Sequence, residues 1–89
     1  MRIIAGKYKG KKIFAPKTLP VRPTTDFAKE GLFNILKNQI NFEQIKILDL
    51  FAGTGNISFE FSSRGCKNVI SIDLNFNCVK FMKSMNKEL

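Results

Sequence analysis

Hydrophobic residues recur along this chain with two different periods, and each change of period marks an element. From Asp26 onward, Ala28, Leu32, Ile35, Leu36 and Ile40 fall three and four residues apart, while Lys29, Glu30, Asn34 and Lys37 take the other side. That spacing predicts an amphipathic helix over 26–38, with Thr24, Thr25 or Asp26 supplying the N-cap oxygen. Gly31 inside it costs about 1 kcal/mol relative to Ala, which predicts a close neighbour at that position. Ile45-Lys46-Ile47-Leu48-Asp49-Leu50 and Asn68-Val69-Ile70-Ser71-Ile72-Asp73 read as buried strands. Between them, Asn56 to Arg64 reads as a helix closed by Gly65. A last helix begins near Asn75 with Cys78, Met82, Met85 and Leu89 on one face.

The first quarter has a different grammar. Two short apolar stretches, Arg2 to Ala5 and Lys11 to Ala15, flank Gly6-Lys7-Tyr8-Lys9-Gly10, and the two glycines allow the positive φ of a reversal; a β-hairpin is predicted. Pro16 to Pro23 holds all three prolines and reads as an extended loop. The order is therefore hairpin, α, β, α, β, α. Strands that alternate with helices imply a parallel pair with a right-handed crossover, an α/β arrangement. Two parts are expected: residues 1–25 as a hairpin arm with its proline loop, and residues 26–89 as an α/β part.

Composition narrows the class. Eighty-nine residues with 44% apolar and 25% charged side chains describe one small soluble domain. No apolar run approaches the about 20 residues of a membrane span, and the charge at Lys7 leaves no room for a signal-peptide core, so a cytoplasmic chain with no membrane partner is expected. Two cysteines, Cys66 and Cys78, and no histidine provide neither a disulfide framework nor an ordinary zinc site. Both cysteines are expected to be buried apolar residues, and no metal is expected.

Charge changes the picture more. Residues 1–25 hold Arg2, Lys7, Lys9, Lys11, Lys12, Lys17 and Arg22 and no acid, so almost the whole net charge of +8 lies there. A one-sided basic arm is the electrostatic footprint of a polyanion binder; the alternative is a solvated lysine-rich surface.

The most informative string is Asp49-Leu50-Phe51-Ala52-Gly53-Thr54-Gly55-Asn56, where a strand ends in an acid, turns through two glycines and enters a helix. Glycines there let a ligand approach the backbone, and the open amides of the helix start suit a polar or anionic group. Asp73, 20 residues after Gly53 at the end of the next strand, can accept from both hydroxyls of an adenosine ribose. A dinucleotide loop wants Gly or Ala where this chain has Ser58, and a pyrophosphate would be repelled by Asp49. S-adenosylmethionine carries no phosphate and is cationic at sulfur, so Asp49 favours it as cofactor over a nicotinamide or flavin. The plainer readings are a structural glycine turn and an Asp73 that caps the last helix.

With these residues in view, the chain resembles the N-terminal portion of the bacterial RsmD-type 16S rRNA (guanine-N2) methyltransferase family. The resemblance rests on Met1-Arg2-Ile3-Ile4-Ala5-Gly6, Arg22-Pro23-Thr24-Thr25-Asp26, Leu32-Phe33-Asn34-Ile35-Leu36, Leu48-Asp49-Leu50-Phe51-Ala52-Gly53-Thr54-Gly55 and Ser63-Arg64-Gly65. It implies that residues 26–89 are the first half of a Rossmann-like methyltransferase domain, that Asp49, Phe51, Ala52, Gly53, Thr54, Gly55, Asp73 and Leu74 line the cofactor, and that Arg22, Pro23 and Thr24 border the same cavity. It further implies that Arg2, Lys7, Tyr8, Lys9, Lys11, Lys12 and Lys17 meet ribosomal RNA or a small-subunit particle. Tyr8 would stack on a base or pack within the hairpin.

The resemblance also exposes a gap. Enzymes of this kind grip the exocyclic amine with an Asp/Asn-Pro-Pro-Tyr/Phe motif after the fourth strand. No proline follows Pro23, and Tyr8 is the only tyrosine. No catalytic residue is therefore expected in this chain, which reads as an inactive, truncated part of a methyltransferase with an incomplete sheet. Self-association through the open sheet edge or the last helix is expected. The competing reading is a non-catalytic RNA-binding module with a vestigial cofactor loop.

Overall fold

In a computed structural model, which describes residues 1–20 and 24–89, Thr25 supplies the first N-cap: its side-chain oxygen accepts the Ala28 amide at 3.2 Å. It starts α1 (Asp26–Leu36). The other elements are β1 (Lys46–Asp49), α2 (Asn56–Ser63), β2 (Asn68–Ser71) and α3 (Phe76–Glu88). Asn75 caps α3 by accepting the amides of Asn77 and Cys78. β1 and β2 pair in parallel with Lys46 opposite Asn68 and Asp49 opposite Ser71, and α2 is the connection between them.

Strand alternation divides the sheet into two unlike faces. Ile47 and Val69 turn inward and join Phe33, Phe61 and Cys66 in one apolar cluster. Phe33 is completely buried with its ring edge-on to Phe61, centroids 4.7 Å apart, a burial that contributes about 2–3 kcal/mol. Ile3, Ile13, Ala52, Phe59, Met82 and Met85 form the other cluster. α2 lies between the two clusters, giving Phe61 to one and Phe59 to the other. Cys66 and Cys78 are both free and buried, as expected. Leu48, Leu50, Ile70 and Ile72 are left exposed on the opposite face of the sheet or just beyond its strands. Among the described residues no helix is long and apolar enough to cross a membrane.

Four local expectations are corrected. The two strands are half-buried rather than buried, with Leu48 and Ile70 exposed on the face that no helix covers. The packed stripe of α1 is Lys29 and Phe33, with Leu36 half-buried, whereas Leu32 and Ile35 are exposed. Apolar residues cover two adjoining sides of this helix and α2 covers only one, while Lys29 is drawn inward by a carboxylate on α2. Gly31 has no close neighbour, so its absence of a side chain serves no packing there. The hairpin is joined by one antiparallel bridge, Arg2 to Lys12, rather than by two strands. Its arms bond at Ile3–Lys11 and Ile13–Met1, but the amides of Ile4, Ala5, Lys7 and Tyr8 are donated to α2 instead of to a ladder.

Candidate cofactor site and the hairpin beside it

The pairing of the two strands continues past their ends and brings the glycine turn to Asp73. Ile72 donates to the Asp49 carbonyl at 2.8 Å, and Ala52 donates to the Ile72 carbonyl at 3.0 Å. Gly53 then donates its amide to Asp73 Oδ2 at 2.8 Å, while Asp73 Oδ1 accepts the Asn75 amide at the same distance. Asp73 thus closes the turn and leaves the capping of α3 to Asn75. Gly53 and Gly55 have φ of 58° and 81°, the left-handed region that favours glycine. Gly55 also meets a packing limit, since a Cβ there would lie 2.8 Å from the Phe59 ring and 2.9 Å from Met82 Cγ. As the N-cap of α2 it offers no side-chain acceptor, so the first-turn amides have no side-chain cap, while Ala52 to Asn56 are buried.

The acid at the end of β1 has its own partner. Ser58 Oγ donates to Asp49 Oδ2 at 2.7 Å and accepts from Ser71 Oγ at 2.6 Å, which ties β1, α2 and β2 together below the turn. Around the turn, Phe51 and Leu74 are almost wholly exposed. Ala52 belongs to the core, and Thr54 is buried with its hydroxyl directed at the Met1 sulfur, 3.4 Å away, so Thr54 faces the hairpin and offers the turn only its backbone. Arg22 and Pro23 lie outside the described residues. Thr24, exposed, accepts Asn56 Nδ2 on its carbonyl at 2.7 Å, which fastens the chain just after Pro23 to the first residue of α2.

The hairpin is docked by a buried polar stripe. Asn56, Glu60 and Ser63, spaced as one face of α2, are all buried. Glu60 accepts the amides of Ile4 at 2.9 Å and Ala5 at 3.2 Å, as well as Arg64 Nε at 2.7 Å. Ser63 accepts the Tyr8 amide through its hydroxyl, donates to the Ala5 carbonyl, and accepts the Lys7 amide on its own carbonyl. Burial would raise the Glu60 pKa, but the hydrogen bonds from Ile4, Arg64 and Ala5 and the nearby Lys29 ammonium together hold it below the usual glutamate value. Burial, with the Asp73 charge adding to it, pushes the Cys78 thiol up, which keeps it an inert core residue. The sequence reading missed Lys29, Asn56, Glu60 and Ser63. The signal available for the last three was their helical spacing among apolar neighbours.

The basic side chains of the described part of the arm, Arg2, Lys7, Lys9, Lys11, Lys12 and Lys17, are all exposed. Arg2 pairs with Asp26 at 3.6 Å, and Lys11 with Glu88 at 3.7 Å. Tyr8 is half-buried against the hairpin cluster and donates its hydroxyl to the Leu89 carbonyl at 3.0 Å, with Lys7 Nζ 5.4 Å from its ring centre. The arrangement therefore places the half-buried carboxylate of Asp73 and the uncapped amides of α2 at the ends of parallel strands, the place where such sheets bind nucleotides. The exposed cations are carried by the hairpin, whose base meets Thr54 through Met1 and whose tip, with Lys7 and Lys9, docks at Ser63, the other end of α2.

Comparison with known proteins follows the same lines. The family described as Conserved hypothetical protein 95 matches residues 1–89. The chain is 39% identical over 89 residues to "Putative rRNA methyltransferase YlbH" of Bacillus subtilis, covering all of this chain and 47% of that protein. It is 43% identical over 74 residues to Ribosomal RNA small subunit methyltransferase D of Haemophilus influenzae, covering 83% of this chain and 37% of that protein. Among solved structures, "Putative methyltransferase yhhF" from Escherichia coli superposes with a TM-score of 0.81 at 28% identity, over 99% of this chain and 46% of its own. The chain spans less than half the length of each of these relatives, and its fold matches the N-terminal part of a methyltransferase fold.

Proposed function

Because the chain belongs to the Conserved hypothetical protein 95 family, we propose that the protein carrying it transfers a methyl group from S-adenosylmethionine to the N2 amine of a guanine in 16S ribosomal RNA, in the cytoplasm. The observation that carries this reading is the Gly53 amide on Asp73 Oδ2, which holds a half-buried carboxylate against the glycine turn. That carboxylate retains lone pairs for the vicinal hydroxyls of a ribose. The uncapped amides of α2 suit the carboxylate of the methionine part. When bound, the cofactor supplies a cationic sulfonium whose methyl group is open to displacement.

This chain's residues bind and orient; none of them accepts the proton of the amine. Asp73 holds the sugar, and the glycine turn keeps side chains out of the approach. Lys7, Lys9, Lys12 and Lys17 hold the RNA backbone by releasing its counterions. Rate enhancement would come from placing the amine in line with the carbon–sulfur bond. The Asp/Asn-Pro-Pro-Tyr/Phe motif that would grip the amine is not present in residues 1–89. A second reading, a chain that binds RNA and has no chemistry of its own, is favoured by the exposed Lys7, Lys9, Lys12 and Lys17 of the arm. The exposed Leu48, Leu50, Ile70 and Ile72 support self-association of the isolated chain, which light scattering would report as a mass above that of a monomer.

The test is incubation with labelled S-adenosylmethionine and unmethylated small-subunit RNA, followed by nucleoside analysis. A longer protein that joins this chain to a Pro-Pro motif is expected to yield N2-methylguanosine, and residues 1–89 alone no label. A different methylated nucleoside would contradict the guanine assignment, and turnover by residues 1–89 would contradict the assignment of chemistry to the motif.

A further inference from the structure

Lys29 and Glu60 form a pair with no exposed side-chain surface, and it stands between the basic hairpin and the glycine turn. Lys29 Nζ donates to the Arg2 carbonyl and to Asn56 Oδ1, the latter at 2.7 Å, and lies 3.3 Å from Glu60 Oε1. Glu60 in turn accepts the amides of Ile4 and Ala5. Three segments distant in sequence, the first arm of the hairpin, α1 and the first turn of α2, therefore meet at one ammonium. Asn56 directly follows Gly55, so this ammonium is bonded to the residue that leaves the glycine turn.

Burying an ion pair is a weak way to gain stability, because desolvation offsets most of the attraction and packed apolar residues do as well. What the pair does confer is direction. Glu60 and Lys29 between them bond Arg2, Ile4 and Ala5 through the backbone, which a hydrocarbon contact cannot do. An apolar side chain at position 29 would fill the space and leave the Arg2 carbonyl and Asn56 Oδ1 without their donor.

We infer that Lys29 is a positioning residue: through Asn56 and Glu60 it fixes the basic hairpin, and with it the bound RNA, at a set place relative to the turn that holds the methyl donor. The inference rests on the RNA-methylation reading above. Lys29 is buried and touches no phosphate, so its effect on RNA must pass through the lysines that the hairpin carries.

The test compares Lys29→Met, Lys29→Arg and the double variant Lys29→Met/Glu60→Gln, which removes both charges of the pair and leaves Arg64 an amide oxygen to bond in place of the carboxylate. Calorimetry gives the affinity for S-adenosylhomocysteine, anisotropy across a salt series gives that for a 16S-derived RNA, and hydrogen exchange follows the Ile4 and Ala5 amides. In Lys29→Met and in the double variant, RNA affinity is expected to fall at least fivefold with a shallower salt slope. Exchange at Ile4 and Ala5 should quicken, and S-adenosylhomocysteine affinity should stay within twofold. Lys29→Arg should restore RNA binding. Equal losses for both ligands, unchanged RNA affinity in the folded double variant, or failure of that variant to fold would overturn the inference and leave a structural pair. A wild-type chain that binds no RNA would overturn the RNA reading and this inference with it. Wild-type binding of both ligands with no change in the variants would overturn the inference alone.

Discussion

Ser58 Oγ donates to Asp49 Oδ2 at 2.7 Å across the turn that joins β1 to α2. Ser58 occupies the position that a dinucleotide loop gives to Gly or Ala, and here its hydroxyl holds the acid that ends β1. Ser71 completes the relay by donating to Ser58 at 2.6 Å. Replacing Ser58 with Ala removes a charge-assisted bond, expected to cost about 1.5–3 kcal/mol in urea unfolding. S-adenosylhomocysteine affinity should fall several-fold as the turn loosens. A Ser58→Ala chain of unchanged stability and affinity would show that the relay holds nothing.

The exposed lysines make a salt-dependent prediction. Each phosphate contact removed lowers the slope of log affinity against log salt by about 0.7–0.9. Lys9→Ala and Lys12→Ala should each produce that change in RNA binding. Lys11→Ala should produce less, since Lys11 already pairs with Glu88. Equal slopes in all three variants and wild type would remove the hairpin from the RNA interface.

Glu60 gives the chain an acid limit. Its pKa is held below the ordinary value in the folded state, so its contribution to stability is complete above the unfolded value, near 4.5, and is lost as pH falls through the folded value. Unfolding measured from pH 7 down to pH 3 should show wild type losing stability faster than Glu60→Gln below about pH 4.5. Because Glu60 bonds Ile4 and Ala5, the protection of those two amides relative to their intrinsic exchange should fall in the same range. Parallel curves for the two proteins would contradict the assignment.

Two glycines that look alike in sequence have opposite roles. A Cβ on Gly6 would lie 2.0 Å from the Ser63 carbonyl oxygen, and its φ of 91° is left-handed, so Gly6→Ala should detach the hairpin and destabilise the chain by more than about 1 kcal/mol. Gly31 is helical with open space around it, so Gly31→Ala should stabilise by about 0.5–1 kcal/mol. Thermal unfolding of both variants checks the pair.

What the sequence shows and hides follows from the range of each interaction. The start of α1 was legible because a cap acts over two or three residues, Thr25 reaching Ala28; α3 starts where expected, but its cap is Asn75 and not Asp73. The glycine turn and Asp73 were legible because a strand, a turn, a helix and a strand of ordinary length bring positions 53 and 73 together. Lys29 was read as a solvated charge, since nothing within α1 reveals that Glu60, 31 residues away, lies opposite. The hairpin ladder was overestimated for the same reason. Its amides had a better acceptor on α2 than in the other arm, and no local pattern shows that competition.

The central claim is that Asp73 and the glycine turn form a site for S-adenosylmethionine. Its most direct test is calorimetric titration of the 89-residue chain with S-adenosylhomocysteine, beside the same chain carrying Asp73→Ala. Saturable one-to-one binding that weakens at least tenfold in the variant, about 1.4 kcal/mol, is the expected result. Binding that is equally tight in both chains, or absent from a folded wild-type chain, would contradict it.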